Sequence, residues 1–130
     1  MKVYDNIFAT ASIVPAVYTA DQNGVAVDTQ GYFDGMIGIL AGTIDTTDTD
    51  ETYNFKVQES ADGSTGWTDV SGATAEITAS NTGAAIRVSD LNVARERYLR
   101  VVLDVEGTTP SIACSVAVLL GEAVSAPVNS

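Results

Sequence analysis

Apolar and polar side chains alternate along three stretches of the chain, and this pattern decides the fold class. In the first stretch Tyr53, Phe55 and Val57 alternate with polar neighbours. Residues 97–106 and 112–120 repeat the pattern with these apolar positions: Leu99, Val101, Leu103, Val105, Ile112, Cys114, Val116, Val118 and Leu120. Successive side chains of a β-strand point to opposite faces, so a period of two predicts three strands that each bury one face.

A fourth stretch, "MIGILAGTI" at residues 36–44, is apolar on both faces. It predicts a central strand that is covered on each side or lies at an interface. Clusters of Gly, Asn, Asp and Pro, such as "ADQNG" and "EGTTP", separate the candidate strands because these residues adopt turn conformations easily. The window "VSDLNVARER", residues 88–97, predicts one short helical turn or an irregular crossover.

Short strands at regular spacing with almost no helix predict an all-β fold. We predict an antiparallel β-sandwich, jelly-roll-like or immunoglobulin-like, with an extended N-terminal arm. The arm is placed at residues 1–18 and a single sandwich domain at residues 19–130. Pro15 suits an extended arm because it has no backbone N–H to donate to a central sheet.

Composition narrows the function. The chain has 130 residues, enough for one domain with its own core, and a net charge of −11. This charge argues against binding to nucleic acid or to anionic membrane surfaces. Histidine is absent, which removes the commonest general base and the commonest zinc ligand. We therefore predict that the protein is not an enzyme and has no metal or cofactor.

The single cysteine, Cys114, cannot form an internal disulfide. It alternates with core positions, so we predict a buried apolar side chain and not a nucleophile. The N-terminal segment "MKVYDNIFATASIVPAVYT" makes a poor signal peptide and no transmembrane helix. Synthesis in the cytoplasm is the expectation that follows.

The loop in "FKVQESADGSTGWTDV", residues 55–70, resembles a site more than any other stretch does. Asp62 and Gly63 are typical of a tight hairpin turn, since glycine adopts a left-handed backbone at little cost. Trp67 begins the returning strand. The favoured interpretation is a plain hairpin with the Trp67 ring packed across the sheet edge. The alternative is a ligand loop in which Trp67 stacks on a sugar.

Two charged segments give weaker candidates. The loop at residues 45–51 is rich in carboxylates that suit calcium, but it lacks the EF-hand spacing, so a solvated acidic loop is favoured. Its acids are Asp45, Asp48, Asp50 and Glu51. Four of the six cations are gathered in one segment: Arg87, Arg95, Arg97 and Arg100. They are expected either to pair with Asp90, Glu96 and Asp104 or to form a cationic patch that docks on an acidic partner.

Three runs, "GYFDGMIGILAGTI", "FKVQESADGSTGWTDVSGA" and "RERYLRVVLDVEGTTPSIACSVAVLLG", resemble small capsid decoration or cement proteins of tailed bacteriophages. The resemblance covers nearly the whole chain. It implies a virion protein on the capsid exterior whose partners are the major capsid protein and further copies of itself, with a trimer as the first expectation. The candidate interface residues are Ile7, Phe8, Ile13, Val14, Pro15, Val17, Tyr18, Arg95, Arg97 and Arg100.

A second resemblance leads to a different function. The pair "ADGSTGWTDV" and "RERYLRVVL" is similar to discoidin and galactose-binding-like sandwiches, which bind glycans or lipid headgroups through loop tips. This chain departs from them because it is short and lacks the terminal cysteine pair common there. The alternative function is therefore a carbohydrate-binding module, for instance one that attaches to a host surface, with Asp62 and Trp67 in its ligand loop.

Overall fold

The computed structural model describes residues 7–123 and shows an all-β fold. Its strands are β1 (Phe8–Tyr18), β2 (Gln22–Asn23), β3 (Val27–Asp28), β4 (Tyr32–Ile44), β5 (Thr52–Ser60), β6 (Thr68–Glu76), β7 (Gly83–Ser89), β8 (Tyr98–Glu106) and β9 (Ile112–Ala123). No helix forms within residues 7–123, so this part of the chain contains no helix that could cross a membrane.

Two antiparallel sheets pack face to face, which confirms the predicted sandwich. The first sheet has the strand order β1-β9-β4-β7, and the second has the order β2-β8-β5-β6, with β3 also paired to β8. β4 lies between β9 and β7, so the stretch at residues 36–44 is a central strand as predicted. β5 and β6 pair as a hairpin around the loop at residues 61–67.

The core lies between the two sheets and is built from the predicted alternating positions. Phe55, Val57, Leu99 and Val101 point into it from the second sheet. The first sheet contributes the following buried side chains: Ile37, Ile39, Ile112, Val116, Val118 and Leu120. Each of these is almost completely removed from water, and burial of apolar surface is the main force that holds such a sandwich together.

Most of the predicted N-terminal arm belongs to the sandwich. Residues 8–18 form β1, which runs along β9 as an edge of the first sheet. Its register slips between Ala11 and Ile13 and again between Ile13 and Ala16. Pro15 lies in the second slip, where a residue without an N–H is tolerated in an edge strand. Residues 1–6 of the predicted arm lie outside the described residues, as do residues 124–130 of the predicted sandwich domain.

The segment between β7 and β8 is an irregular crossover, the second of the two predicted forms. The carbonyl of Asp90 accepts hydrogen bonds from the N–H groups of Val93, Ala94 and Arg95. Asp90 has a φ of 60° and Asn92 a φ of 61°, and this left-handed backbone cannot continue a right-handed helix. The Asn92 side chain fixes the crossover by donating to the carbonyls of residues 29 and 32, at 2.8 Å and 3.0 Å.

Cys114 is buried on the inner face of β9, which confirms its predicted place in the core. Burial raises the pKa of its thiol to about 11. Because the thiolate is the reactive form, we expect the native protein to react with a thiol reagent at pH 8 roughly a hundredfold more slowly than the urea-unfolded protein. Stopped-flow labelling measures both rates. Native labelling as fast as that of the unfolded chain would show that Cys114 is exposed and the strand register is wrong.

Candidate interaction face on the first sheet

The outward side of the first sheet carries small and apolar side chains and no ionisable group over most of its area. The strand register identifies its members, because residues directly opposite each other in a sheet point the same way. We call this surface the outer face and define it by Ala9, Ala11, Val17, Met36, Gly38, Leu40, Gly42, Gly83, Ala85, Ala113, Ser115, Ala117 and Leu119. An exposed sheet face in an acidic protein would ordinarily be polar.

Large apolar side chains stand out from this face into solvent. Leu40 is 68% exposed, and Val17 and Met36 are also largely exposed. Between Leu40 on β4 and Val17 on β1, the small side chains of Ala113 and Ser115 leave a groove of about 440 Å³ over β9. The outer face therefore has a projecting side chain directly beside a depression.

A second, smaller depression of about 270 Å³ lies at the other end of the outer face. Ile7, Met36 and Leu119 form its apolar walls. Its rim carries an ion pair in which the Arg87 guanidinium donates to both carboxylate oxygens of Asp34, at 3.0 Å and 3.3 Å. The charged rim is thus internally neutralised, and the depression itself is apolar.

The outward side of the second sheet is chemically different. Asp69 accepts hydrogen bonds from the side-chain amide of Gln58 at 2.9 Å and from Lys56 at 3.4 Å, and these contacts lower the pKa of the Asp69 carboxyl. The Arg100 guanidinium donates to the side-chain amide oxygen of Gln58 at 2.8 Å and lies 4.4 Å from the centroid of the Trp67 ring. This side is a connected polar network that suits water.

The predicted interface residues of β1 divide into two groups. Phe8, Val14 and Val17 are exposed, as are Ile7 and Pro15 at their positions along the same edge. Ile13 is only 3% exposed and packs in the core, because its side chain points inward between the two register slips. It therefore cannot reach a partner while the sandwich is folded. Tyr18 is half-buried, and its hydroxyl donates to the backbone carbonyl of Val14 at 2.5 Å.

The three arginines that were predicted as interface residues are engaged within the chain. Arg97 donates to both carboxylate oxygens of Asp28 at 2.8 Å and 2.9 Å, which lowers the pKa of Asp28 and raises that of Arg97. Arg95 lies 3.5 Å from Glu59. Arg100 is held by the polar network on the second sheet. These contacts disfavour a cationic patch, but the partners come from distant strands and are not the predicted Asp90, Glu96 and Asp104.

The loop at residues 61–67 is a hairpin turn that is closed by its own side chains. The Asp62 carboxylate accepts hydrogen bonds from the backbone N–H groups of Thr65 and Ser64, both at 2.8 Å, and these lower its pKa. Gly63 has a φ of 78°, as the predicted turn requires. The buried Ser60 hydroxyl donates to the Thr65 carbonyl at 2.5 Å. The plain hairpin is confirmed, and Arg100 covers one face of the ring that a sugar would need.

Three of the four acids in the loop at residues 45–51 lie together. The carboxylates of Asp48, Asp50 and Glu51 lie within 4.8 Å of one another. Asp50 accepts from the Thr108 hydroxyl at 2.6 Å and Asp48 from the Thr109 hydroxyl at 2.7 Å. The remaining acid, Asp45, accepts from the Thr47 hydroxyl at 2.7 Å. The bonds to Thr108 and Thr109 hold the loop against the turn before β9, so these carboxylates have a structural role.

No protein-family model and no curated protein sequence matches the chain. Solved structures share its fold. The SPBc2 prophage-derived protein YomS has 9% sequence identity and a TM-score of 0.51, over 89% of this chain and 95% of that chain. A chain from Bacillus endospore appendages, described as disulfide-linked pili, has 18% identity and a TM-score of 0.51, over 92% and 90%. At these identities the likeness shows a shared β-sandwich fold.

A third match comes from the structure of infectious bursal disease virus, Gx strain, with 8% identity and a TM-score of 0.53. It covers 92% of this chain but only 33% of the viral chain. The sandwich therefore corresponds to one part of a larger viral protein. This match also shows the fold alone.

Proposed function

We propose that this protein is a structural component of a tailed-phage virion that decorates the outer surface of the capsid and stabilises it by binding across capsid subunits. It is not an enzyme, and it takes no cofactor. The observation that carries the proposal is the contrast between the two sides of the sandwich. One side, together with the β1 edge that borders it, exposes apolar side chains that folding leaves uncovered, and the other is a hydrogen-bonded polar network.

A contiguous apolar surface of this kind marks a site of protein contact. The net charge of −11 keeps the rest of the molecule soluble and discourages random association, so contacts are directed to the apolar side and its β1 edge. The fold is shared with a prophage-derived protein and with part of a viral chain, which is compatible with a virion role. The resemblance of the sequence runs to phage decoration proteins agrees with it.

We assign the capsid contact to the exposed residues of the β1 edge, with Phe8, Val14 and Pro15 at its centre. These side chains are exposed and lie in an edge strand of the first sheet. Each copy needs to bury only several hundred Å² to contribute measurably, at about 25 cal/mol per Å² of apolar surface. Many copies that bind the assembled shell, but not its separate subunits, stabilise the shell by mass action.

Removal of the protein is expected to make phage heads less resistant to heat while leaving their shape intact. Heads from a deletion strain are heated in parallel with complete heads, and DNA release is followed with an intercalating dye. We expect release from depleted heads at a temperature several degrees lower, and purified protein should restore the difference when it is added back. Depleted heads as robust as complete ones, together with a purified protein that binds glycans, would support the carbohydrate-binding alternative instead.

Substitution on β1 locates the contact better than deletion of the N-terminal residues does, because residues 8–15 are part of the first sheet. Val14→Asp places a charge on the exposed edge, and Val93→Asp places the same charge at another exposed site, on the crossover. We expect the first variant to fail in add-back and the second to succeed. Equal rescue by both variants would remove the β1 edge from the capsid contact.

A further inference from the structure

We infer that the outer face is covered by the outer face of a second copy of this chain, related by a two-fold axis. This inference names a partner that the proposed function leaves open. It rests on that function only for the expectation that the resulting pair binds a capsid. Pairing itself is a property of the purified protein.

The outer face is large enough for a stable pair. It spans four strands and, along β4, the residues from 34 to 42. With strands about 4.8 Å apart and a rise of about 3.3 Å per residue, the face measures roughly 19 Å by 30 Å. Two such faces together bury on the order of 1,100 Å², which reaches the area of about 1,000 Å² expected of a specific interface.

The register of the sheet makes the outer face complementary to itself. Leu40 on β4 is paired with Ser115 on β9, and Gly38 is paired with Ala117. A two-fold axis that runs along the strands between β4 and β9 places β4 of one copy over β9 of the other. Each Leu40 then lies over the partner's groove at residues 113–115, while the small residues at 38 and 117 face each other. Two sheets packed in this way lie about 10 Å apart.

Charge favours the same contact. Two copies of net charge −11 repel each other over most of their surfaces. Asp34 and Arg87 point the same way as the outer face at its end beside Met36, and they neutralise each other in an ion pair. Burial of this face therefore leaves no charge without a partner, and its hydroxyl residues are Ser89 and Ser115.

The symmetry of the contact distinguishes it from the trimer that the resemblance suggested. A face that is complementary to itself uses the same patch on both subunits, and such an isologous contact is closed by two copies. A trimer needs two different patches that fit each other. Because the projecting Leu40 and its groove lie on one patch, we expect a pair.

Sedimentation velocity on the purified full chain tests the inference. We expect a particle of twice the 13.5 kDa mass of one chain at micromolar concentration. Leu40→Lys puts a charge at the centre of the contact and should weaken pairing at least about tenfold. Ala85→Lys, on β7 at the same face, should also weaken it. Val93→Lys is the matched control, because Val93 is 72% exposed on the crossover away from the face.

Each outcome decides the inference. A dimer that the two face variants dissociate and the control does not would support it, provided that circular dichroism shows all variants folded. A monomer at 100 μM, a trimer, or a dimer unaffected by both face variants would overturn it. Binding to depleted heads is measured separately. A dimer that does not bind heads would refute the decorating function and leave the pairing supported. A monomer that binds heads would refute the pairing and leave the decorating function supported.

Discussion

Replacement of Gly24 by alanine is expected to cost about 3 kcal/mol of folding free energy, at the upper end of the usual range for overpacking. A Cβ atom at this position would lie 2.6 Å from the carbonyl oxygen of Val101 and 2.9 Å from that of Ser12, and it would also contact the Ser12 hydroxyl. Two of these three obstacles are backbone atoms, which cannot move unless strands separate. Urea unfolding followed by fluorescence of Trp67 measures the loss.

The cost is large because Gly24 lies where the two sheets are joined. Its N–H donates to the Val101 carbonyl at 2.7 Å, and the N–H of Val25 donates to the Ser12 carbonyl at 2.7 Å. The buried Ser12 hydroxyl accepts from the Val101 N–H and donates to the Val25 carbonyl, both at 3.0 Å. One alanine methyl group would disturb all of these bonds. Buried polar groups that lose their partners cost about 1–3 kcal/mol each.

Gly38→Ala is the matched control, since a Cβ there meets only the Leu119 side chain at an ordinary 3.7 Å. We expect its unfolding free energy at submicromolar concentration, where pairs dissociate, to stay within about 1 kcal/mol of the wild-type value. Equal unfolding midpoints for the two variants would show that the junction at Gly24 is looser than the structure has it.

The sequence predicted the strands that have one buried face. The alternation around Phe55, Leu103 and Val116 gave the correct inner face of β5, β8 and β9, because a period of two has only one structural meaning over eight or more residues. The sequence predicts an extended arm where β1 lies, because Pro15 has no backbone N–H to donate to a central sheet. That strand exists through its pairing with β9, which is more than 90 residues away in the chain and leaves no local signal.

The partners of the ion pairs could not be predicted from the sequence either. Arg97 has acids close to it in sequence, yet it pairs with Asp28, because β3 lies beside β8 in the second sheet. Arg95 likewise finds Glu59 on β5. Partners of this kind depend on strand order, which pattern alone does not supply. The cluster of arginines therefore resembled a patch in the sequence, although the fold pairs Arg87, Arg95 and Arg97 with separate carboxylates and Arg100 with Gln58.

The sequence predicted the part of the outer face that β4 contributes but not the part that β9 contributes. The stretch at residues 36–44 pointed to a strand with apolar side chains on both faces, and Leu40 and Met36 are the residues responsible. The sequence did not predict that β9 contributes to this face. Ala113, Ser115 and Ala117 alternate with core residues, and small side chains at such positions do not by themselves indicate a contact. The available signal was the absence of any charged residue at those outward positions, where an exposed strand ordinarily carries lysine or glutamate.

Two leucines of this chain should respond to truncation in opposite ways. Leu103 is completely buried between the sheets, and Leu103→Ala is expected to lower the unfolding free energy by about 3 kcal/mol through lost burial and a cavity. Leu40 projects into solvent, so Leu40→Ala should change the stability of the monomer by less than about 0.5 kcal/mol. Thermal unfolding at submicromolar concentration, where pairs dissociate, compares the two.

Concentration separates folding from pairing in the same experiment. If the outer face binds a second copy, the wild-type midpoint temperature should rise as the protein concentration is raised, since association stabilises only the folded state. Leu103→Ala should show a parallel rise from a lower starting point, because its outer face is intact. Leu40→Ala should start at the wild-type value and rise less. A midpoint for Leu40→Ala that followed the wild type at every concentration would mean that Leu40 has no partner in the purified protein.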